Sequence, residues 1–137
     1  MGAWGTGVFD NDTACDWVGE LVESSDLSRI ETTLDNVLQA GSGYLEAPEA
    51  EEALAAAEVV ARLQGNWGVR DVYTAPVDEW VEENNLVPTE DLVQKAIRAI
   101  DRILAPSSEL LELWEETGDD LEAWKASLDD LRSRVQS

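Results

Sequence analysis

The sequence predicts an all-α fold, a compact single domain of about seven mostly antiparallel helices that follows a short irregular N-terminal segment. Apolar residues recur three and four positions apart, which is typical of helix faces, and a proline, glycine or capping residue marks each junction between these stretches. No stretch alternates polar and apolar residues with the period of two that indicates a strand. A length of 137 residues suits one domain, which we place at residues 1–137.

The first predicted helix follows a glycine- and aromatic-rich segment at residues 3–9. Asp10, Asn11 or Asp12 can cap this helix, because a short side-chain oxygen accepts hydrogen bonds from the free amides of a first turn. The apolar residues of the helix keep helical spacing and are Ala14, Trp17, Val18, Leu21 and Val22.

The second and third helices have their own start and stop signals. Ser28 and Glu31 have the spacing of a capping box, and Gly41 is a plausible end of the second helix. Pro48 suits the first turn of the third helix, which we expect to run to about Gln64. Its apolar face consists mostly of small residues, so neighbouring helices can approach closely and we expect it near the centre. That face comprises Ala53, Leu54, Ala57, Val60 and Ala61.

Residues 65–75 form a predicted loop with an unusual number of large apolar side chains, which suggests that it packs down onto the body of the protein. These side chains are Trp67, Val69, Val72 and Tyr73. Pro76 can open a short fourth helix that runs through Trp80, with Asn84 and Asn85 near its end, and Pro88 with Thr89 opens the fifth. The fifth helix has the strongest apolar stripe in the chain, made of Val93, Ala96, Ile97, Ile100, Ile103 and Leu104.

Two helices complete the prediction. Pro106 and Ser107 are expected to end the fifth helix and cap the sixth, which carries Leu110, Leu111, Leu113 and Trp114. Gly118 is a stop signal, and Asp119 with Glu122 has box-like spacing for the start of the seventh helix. The seventh helix carries one apolar seam, formed by Leu121, Trp124, Leu128, Leu131 and Val135.

The charge balance restricts the partners of the chain. Thirty acidic residues against nine lysines and arginines give a net charge of −21. Such a surface repels nucleic-acid phosphate and anionic membranes, but it attracts basic proteins and divalent cations. Solubility alone is the alternative explanation. Because the chain has one cysteine, no signal-like start and no long apolar stretch, we expect a cytoplasmic protein.

Missing residue types restrict the chemistry. The chain has no histidine and one cysteine, Cys15, which disfavours histidine-based nucleophile pairs and zinc sites within a single chain. Residues 5–7 (Gly-Thr-Gly) lack the preceding strand and the lysine of a phosphate-binding loop. We therefore assign no catalytic residue, and the balance favours a protein that is not an enzyme.

Carboxylates near the first helix form the one candidate metal site. Asp10, Asp12 and Asp16 bring oxygen ligands to short spacing, which is what magnesium or calcium requires. An EF-hand is excluded, because Ala14 and Cys15 occupy positions where it needs a ligand and a glycine. Helix capping is the alternative explanation of these acids. A divalent cation is the only cofactor that the sequence leaves open.

Six tryptophans are many for so short a chain. Three of them lie on apolar stripes and are predicted core residues: Trp17, Trp114 and Trp124. The other three, Trp4, Trp67 and Trp80, lie in or beside predicted loops. They could be lids over the core or exposed anchors for a partner. The candidate binding residues are therefore Trp4, Gly5, Gly7, Phe9, Asp10, Asp12, Asp16, Trp67 and Trp80.

Both ends of the chain resemble a known bacterial family. The start reads MGAWGTGVFDND, and near the end stand LWEE at 113–116, LEAW at 121–124 and LDDLR at 128–132. These motifs resemble the domain of unknown function 4259 family. The resemblance implies a small, largely helical bacterial protein and transfers no catalytic residue.

Three hypotheses of function remain open. The first is a non-enzymatic module that binds a basic protein partner, with an immunity-type inhibitor or a mimic of nucleic acid as special cases. The second is a cation-binding carboxylate site at Asp10, Asp12 and Asp16, which could be hydrolytic. The third is self-association through the seam of the seventh helix. The sequence leaves the oligomeric state open.

Overall fold

The computed structural model of the chain describes residues 6–137, and that range contains seven α-helices and one isolated β-bridge. The predicted all-α fold is confirmed. The helices are α1 Asp12–Leu21, α2 Ser28–Gln39, α3 Ala47–Leu63, α4 Ala75–Asn84, α5 Glu90–Ile103, α6 Glu109–Thr117 and α7 Leu121–Gln136. None of the helices described in this range combines the length and the apolar character needed to cross a membrane.

Helix α3 lies at the centre of the fold, as its small apolar face predicts. It contacts each of the other six helices. Every residue from 53 to 62 is buried, so the helix is enclosed on all sides. Alanines make this possible, because their small side chains let neighbouring helices approach closely. Two of these buried residues, Glu58 and Arg62, are charged.

Side-chain caps begin two of the helices as predicted. The Asn11 side chain accepts a hydrogen bond from the backbone N–H of Ala14 at 2.8 Å and caps α1. Thr89 caps α5 in the same way, by accepting from the backbone N–H of Leu92 at 3.1 Å. In each case an exposed amide of the first turn is satisfied by a side chain of suitable length.

The predicted capping box at Ser28 and Glu31 is wrong. Ser28 is already inside α2, and the N-cap is Leu27, whose side chain has no oxygen. Asp26 replaces the serine, because its Oδ1 accepts from the Ser28 backbone N–H at 3.1 Å and from the Ser28 hydroxyl at 2.6 Å. The cap therefore comes from two residues before the predicted position.

Two further predicted caps are shifted by one residue. Ser108, not Ser107, caps α6 by accepting from a backbone N–H of the first turn at 3.4 Å. Ser107 instead has a left-handed backbone with φ of 66°. Asp120 is the N-cap of α7 and makes no side-chain cap bond, so the predicted box of Asp119 and Glu122 does not form.

The tryptophans predicted in the core are buried there. Trp17, Trp114 and Trp124 are at most 6% exposed, and the last two stack with ring centroids 5.7 Å apart. The seam of α7 faces the same core, since Leu128 and Leu131 are fully buried. Because these seam residues pack inside their own chain, they leave little apolar surface on α7 for self-association.

Candidate functional site

A cavity of about 310 Å³ opens beside the central helix. Its walls come from the segment at residues 6–10, from α3, from the loop between α3 and α4 (residues 64–74, the α3–α4 loop) and from α7. Chain segments that are far apart in sequence therefore meet at one opening.

The base of the cavity contains a pair of buried charges on one turn of α3. Arg62 donates from Nε to Glu58 Oε2 at 3.0 Å, and the two side chains are 2% and 5% exposed. Asp78 of α4 accepts from Nη1 of Arg62 and is also buried. The four-residue spacing places Glu58 and Arg62 on the same side of the helix, so the pair forms within one turn.

Helix α7 adds a second arginine to this base. Arg134 donates from Nη1 and Nη2 to the two carboxylate oxygens of Glu58, at 2.6 and 2.9 Å, and from Nε to Asp130 at 2.8 Å. The hydrogen bonds to Glu58 are the largest cause that raises the pKa of the Arg134 guanidinium. Glu58, Arg62, Asp78 and Arg134 together form what we call the buried ion network. Burial of these charges is compensated by their mutual hydrogen bonds.

The buried ion network also holds the α3–α4 loop in place. Arg62 donates from Nη2 to the backbone carbonyl of Val69 at 2.6 Å. Asp78 accepts from the Thr74 hydroxyl at 2.9 Å and from Nε of Arg70 at 3.3 Å. Three bonds thus fix the loop at its middle and at its end.

Aromatic rings flank the central arginine. The Arg62 guanidinium carbon lies 5.9 Å from the ring centroid of Phe9 and 5.6 Å from that of Trp67. Arg70 stacks on Trp67 as well, and its guanidinium carbon lies 4.2 Å from the centroid of the Trp67 ring. These distances are those of cation–π contacts, which add to the hydrogen bonds that position the arginines.

Gly68 is a point of close approach between the loop and α7. A Cβ atom at Gly68 would lie 2.9 Å from the guanidinium of Arg134. The guanidinium is held by Glu58 and Asp130, so it cannot move away without losing those bonds. A side chain here would therefore displace the guanidinium and weaken those bonds.

Comparison with known families identifies the chain. The sequence model of the family described as Domain of unknown function (DUF4259) matches residues 2–127. The chain belongs to the DUF4259 family. No curated protein and no solved structure matches it. The family description states no activity.

Several of the predicted binding residues of this DUF4259 protein meet at the cavity. Phe9 and Trp67 contact Arg62. Gly7 and Asp10 line the opening, and the Gly7 backbone N–H donates to Asp10 Oδ2 at 3.0 Å. The predicted residues Trp4 and Gly5 lie outside the described residues.

Trp80 does not belong to the site. It is 3% exposed in α4, and its indole N–H donates to the backbone carbonyl of Ser24 at 2.7 Å. The interpretation of Trp80 as an exposed anchor is wrong, because the residue lies within a helix and faces the core.

The geometry does not support the predicted metal site of the DUF4259 protein. Asp12 and Asp16 are exposed on α1, and Asp10 is engaged by the backbone of Gly7. From residue 6 to residue 137, no three carboxylates or thiols are grouped so that they could hold a metal ion. Burial, followed by the charges of these aspartates, raises the pKa of the Cys15 thiol.

The α3–α4 loop does not pack down in the way that its apolar residues suggest. Val69 and Val72 are 75% and 80% exposed, and Tyr73 is 47% exposed. Trp67 alone among the four large apolar side chains of the loop packs against the core. The expectation therefore holds for Trp67 and is wrong for the other three side chains, which stay exposed although the buried ion network binds the backbone of the loop.

Sequence reasoning missed the residues of the buried ion network. A signal was present in α3, since Glu58 and Arg62 interrupt an apolar stretch with opposite charges four residues apart. No comparable signal exists for Asp78 and Arg134, which lie among many other charged residues of α4 and α7.

A second groove, of about 390 Å³, lies between α1 and α2. Its lining is polar, and its arginine, Arg29, pairs with Glu20 at 3.3 Å on the surface. It contains none of the residues of the buried ion network and none of the predicted binding residues. We therefore take the first cavity, with the adjoining loop, as the candidate site.

Proposed function

We propose that this DUF4259 protein is a non-enzymatic protein-binding module and that its partner docks on the α3–α4 loop. The observation that carries the proposal is the high exposure of Val69 and Val72 on a loop that is held by buried charges. An inhibitor-like or immunity-like role is one form that such binding would take.

The loop has the properties of a binding surface prepared in advance. Its backbone is fixed at Val69 and Thr74, so little conformational entropy would be lost when a partner binds. Aliphatic side chains and a half-exposed Tyr73 supply apolar contact area, and tyrosine is enriched at protein interfaces. The three exposed residues Val69, Val72 and Tyr73 lie within the stretch 69–73, and clustered exposed apolar groups are typical of interaction sites.

The charge of the protein supports a basic partner. A net charge of −21 speeds the encounter with a positively charged protein and opposes binding to nucleic acid or to an anionic membrane. With a single cysteine in the chain, we place this interaction in the cytoplasm.

The buried carboxylates of the ion network are engaged in a way that opposes a catalytic role for them. Both carboxylate oxygens of Glu58 accept hydrogen bonds from arginines, so this group is poorly placed to accept a proton from a substrate. Asp78 is engaged in the same manner by Arg62, Arg70 and Thr74. The buried ion network therefore supports a structural role.

A display experiment tests the proposal. A library of peptides rich in arginine, lysine and apolar residues is selected on the wild-type protein, and the affinity of the selected peptides is measured by calorimetry. We expect the double variant Val69→Ser, Val72→Ser to bind them at least about tenfold more weakly, because each valine contributes apolar contact area. Val87→Ser is the matched control, since Val87 is 83% exposed and lies outside the loop.

The binding of the selected peptides to the three proteins decides whether the α3–α4 loop is the docking surface. Peptides that bind the wild type and the Val87 variant equally, but not the loop variant, support the α3–α4 loop as the docking surface. Peptides that bind all three proteins alike would move the docking surface elsewhere and refute the proposal. A library that yields no binding peptide would refute it as well.

A further inference from the structure

We infer that the cavity beside the α3–α4 loop receives the guanidinium group of an arginine side chain from the partner protein. This inference rests on the proposed function, because it assumes that a protein docks on the adjoining loop. It goes further by giving the partner a specific chemical group and by placing that group in the cavity.

The charge of the cavity lining favours a cation. Four acids and two arginines line the cavity, which leaves the lining with a net charge of −2. The acids are Asp10, Glu58, Asp71 and Asp130, and the arginines are Arg62 and Arg134. The cavity lining therefore attracts a positively charged group.

The two arginines do not provide an anion site. All three side-chain nitrogens of Arg62 donate within the protein, to Glu58, Asp78 and Val69. Those of Arg134 donate to Glu58 and Asp130. An incoming phosphate or carboxylate would find each of these nitrogens already engaged by an internal acceptor and would be repelled by the acids of the lining, whereas a cation leaves the internal bonds intact.

The outer carboxylates are held so that each keeps an oxygen for a ligand. Asp10 uses Oδ2 for the backbone of Gly7, and Asp130 uses Oδ2 for Arg134. Asp71 uses Oδ1 for backbone N–H groups two and three residues further on, at 2.9 and 3.2 Å. Within residues 6–137 the second oxygen of each of these aspartates accepts no hydrogen bond.

The size and the apolar part of the lining favour an arginine. Val8, Phe9 and Val69 also line the cavity and offer apolar contacts to the methylene groups of a long side chain. A volume of about 310 Å³ is at the small end of the range for ligand pockets, which suits one side chain. A guanidinium can donate to two carboxylates at once because its five N–H groups lie in one plane.

Peptide titrations followed by ¹H–¹⁵N NMR test the inference on the full chain. The probes are the blocked tripeptide Leu-Arg-Leu, the same peptide with citrulline in place of arginine, and free agmatine. Citrulline has nearly the shape of arginine but no charge. We expect the arginine peptide to shift the amides of residues 7–10, 69–74 and 127–134, and the citrulline peptide to bind at least about tenfold more weakly.

Two triple variants control for the overall charge. Asp10→Asn, Asp71→Asn, Asp130→Asn removes three negative charges from the lining but keeps an oxygen acceptor at each position. Glu23→Gln, Glu46→Gln, Glu116→Gln removes the same charge from exposed residues that do not line the cavity. We expect about tenfold weaker binding of the arginine peptide to the first variant, and less than about twofold to the second.

Every outcome decides the inference. Equal weakening by the two triple variants would assign the effect to the net charge and overturn it. Equal binding of the arginine and citrulline peptides, or no binding of either, would overturn it too. Agmatine that binds as tightly as the peptide would make the ligand a free cation instead of a partner side chain. In each of these cases the proposed function still stands if the library peptides depend on Val69 and Val72.

Discussion

Arg134 donates two hydrogen bonds to Glu58, at 2.6 and 2.9 Å, and thereby joins helix α7 to the central helix across 76 residues of sequence. The Glu58 side chain is 5% exposed, so its charge depends on this partner and on Arg62. The same contact closes the base of the cavity and lies against the α3–α4 loop at Gly68. Stability and the shape of the candidate site are therefore linked through one ion pair.

Glu58→Gln is expected to destabilise the protein by about 3–5 kcal/mol, because two largely buried arginines lose a shared negative charge. Urea unfolding followed by circular dichroism measures the loss. Asp101→Asn is the matched control, since Asp101 pairs with Arg132 on the surface at 2.8 Å and should contribute less than about 1 kcal/mol. Similar losses in the two variants would contradict the importance of burial.

Gly68→Ala is expected to destabilise the protein by about 1–3 kcal/mol, because the added Cβ would displace the Arg134 guanidinium. Gly19→Ala is the control. Nothing lies within 4 Å of a Cβ at Gly19 in α1, so this change should stabilise by about 0.5–1 kcal/mol through helix propensity. In an Arg134→Met background the penalty at Gly68 should shrink, and a penalty of unchanged size would rule out this explanation.

Two helix starts should respond differently to the same change. Asn11→Ala should cost about 1–2 kcal/mol, because it removes the cap bond to α1. Asp120→Ala should cost no more than about 0.5 kcal/mol, because its side chain makes no cap bond to α7. Thermal unfolding of both variants checks the difference, and a larger cost at Asp120 would show that the cap geometry of α7 is different in solution.

Tyr44 should ionise at unusually high pH. Its hydroxyl donates to Glu112 at 2.9 Å, and this hydrogen bond is the largest cause that raises the pKa of Tyr44 to about 12. Ultraviolet absorbance titration in a Tyr73→Phe background isolates this phenol. Glu112→Ala should lower the pKa towards about 10, the ordinary value for tyrosine, because its hydrogen bond is the largest cause of the shift.

The raised pKa of Tyr44 also makes the stability of the protein depend on pH. The folded protein favours the protonated phenol, so its contribution is present below the unfolded pKa of about 10 and is lost as the pH rises towards 12. The wild type should therefore lose more stability over this interval than Glu112→Ala does. An equal loss in both proteins would contradict the assignment.

The number of helices, their approximate positions and the central place of α3 could be read from the sequence, because a helix face repeats every three to four residues and its ends carry local signals. The sequence determines the residue that caps each helix less precisely. Ser107 and Ser108 offer the same hydroxyl one residue apart, and backbone geometry selects Ser108. The residue types near a helix start therefore limit the candidates for the cap but do not select one of them.

The candidate site was predicted in part for a related reason. Phe9, Asp10 and Trp67 are among the predicted binding residues, because an acidic cluster follows aromatic side chains near the start of the chain and Trp67 is a large apolar residue in a predicted loop. Arg62, which contacts both Phe9 and Trp67, was missed, although an opposite charge one turn away from it in an apolar helix was visible in the sequence. A buried ion pair has a local signal only when both partners lie on one helix.

By itself the sequence determined the all-α fold, the acidic character and the membership of the DUF4259 family, since these depend on composition, short-range periodicity and motifs. Only the tertiary structure decided that Val69 and Val72 stay largely exposed and that Arg134 reaches Glu58. The physical reason is that a loop takes its direction from what holds its backbone. Here that support is Arg62, a buried cation whose position depends on the packing of the surrounding helices.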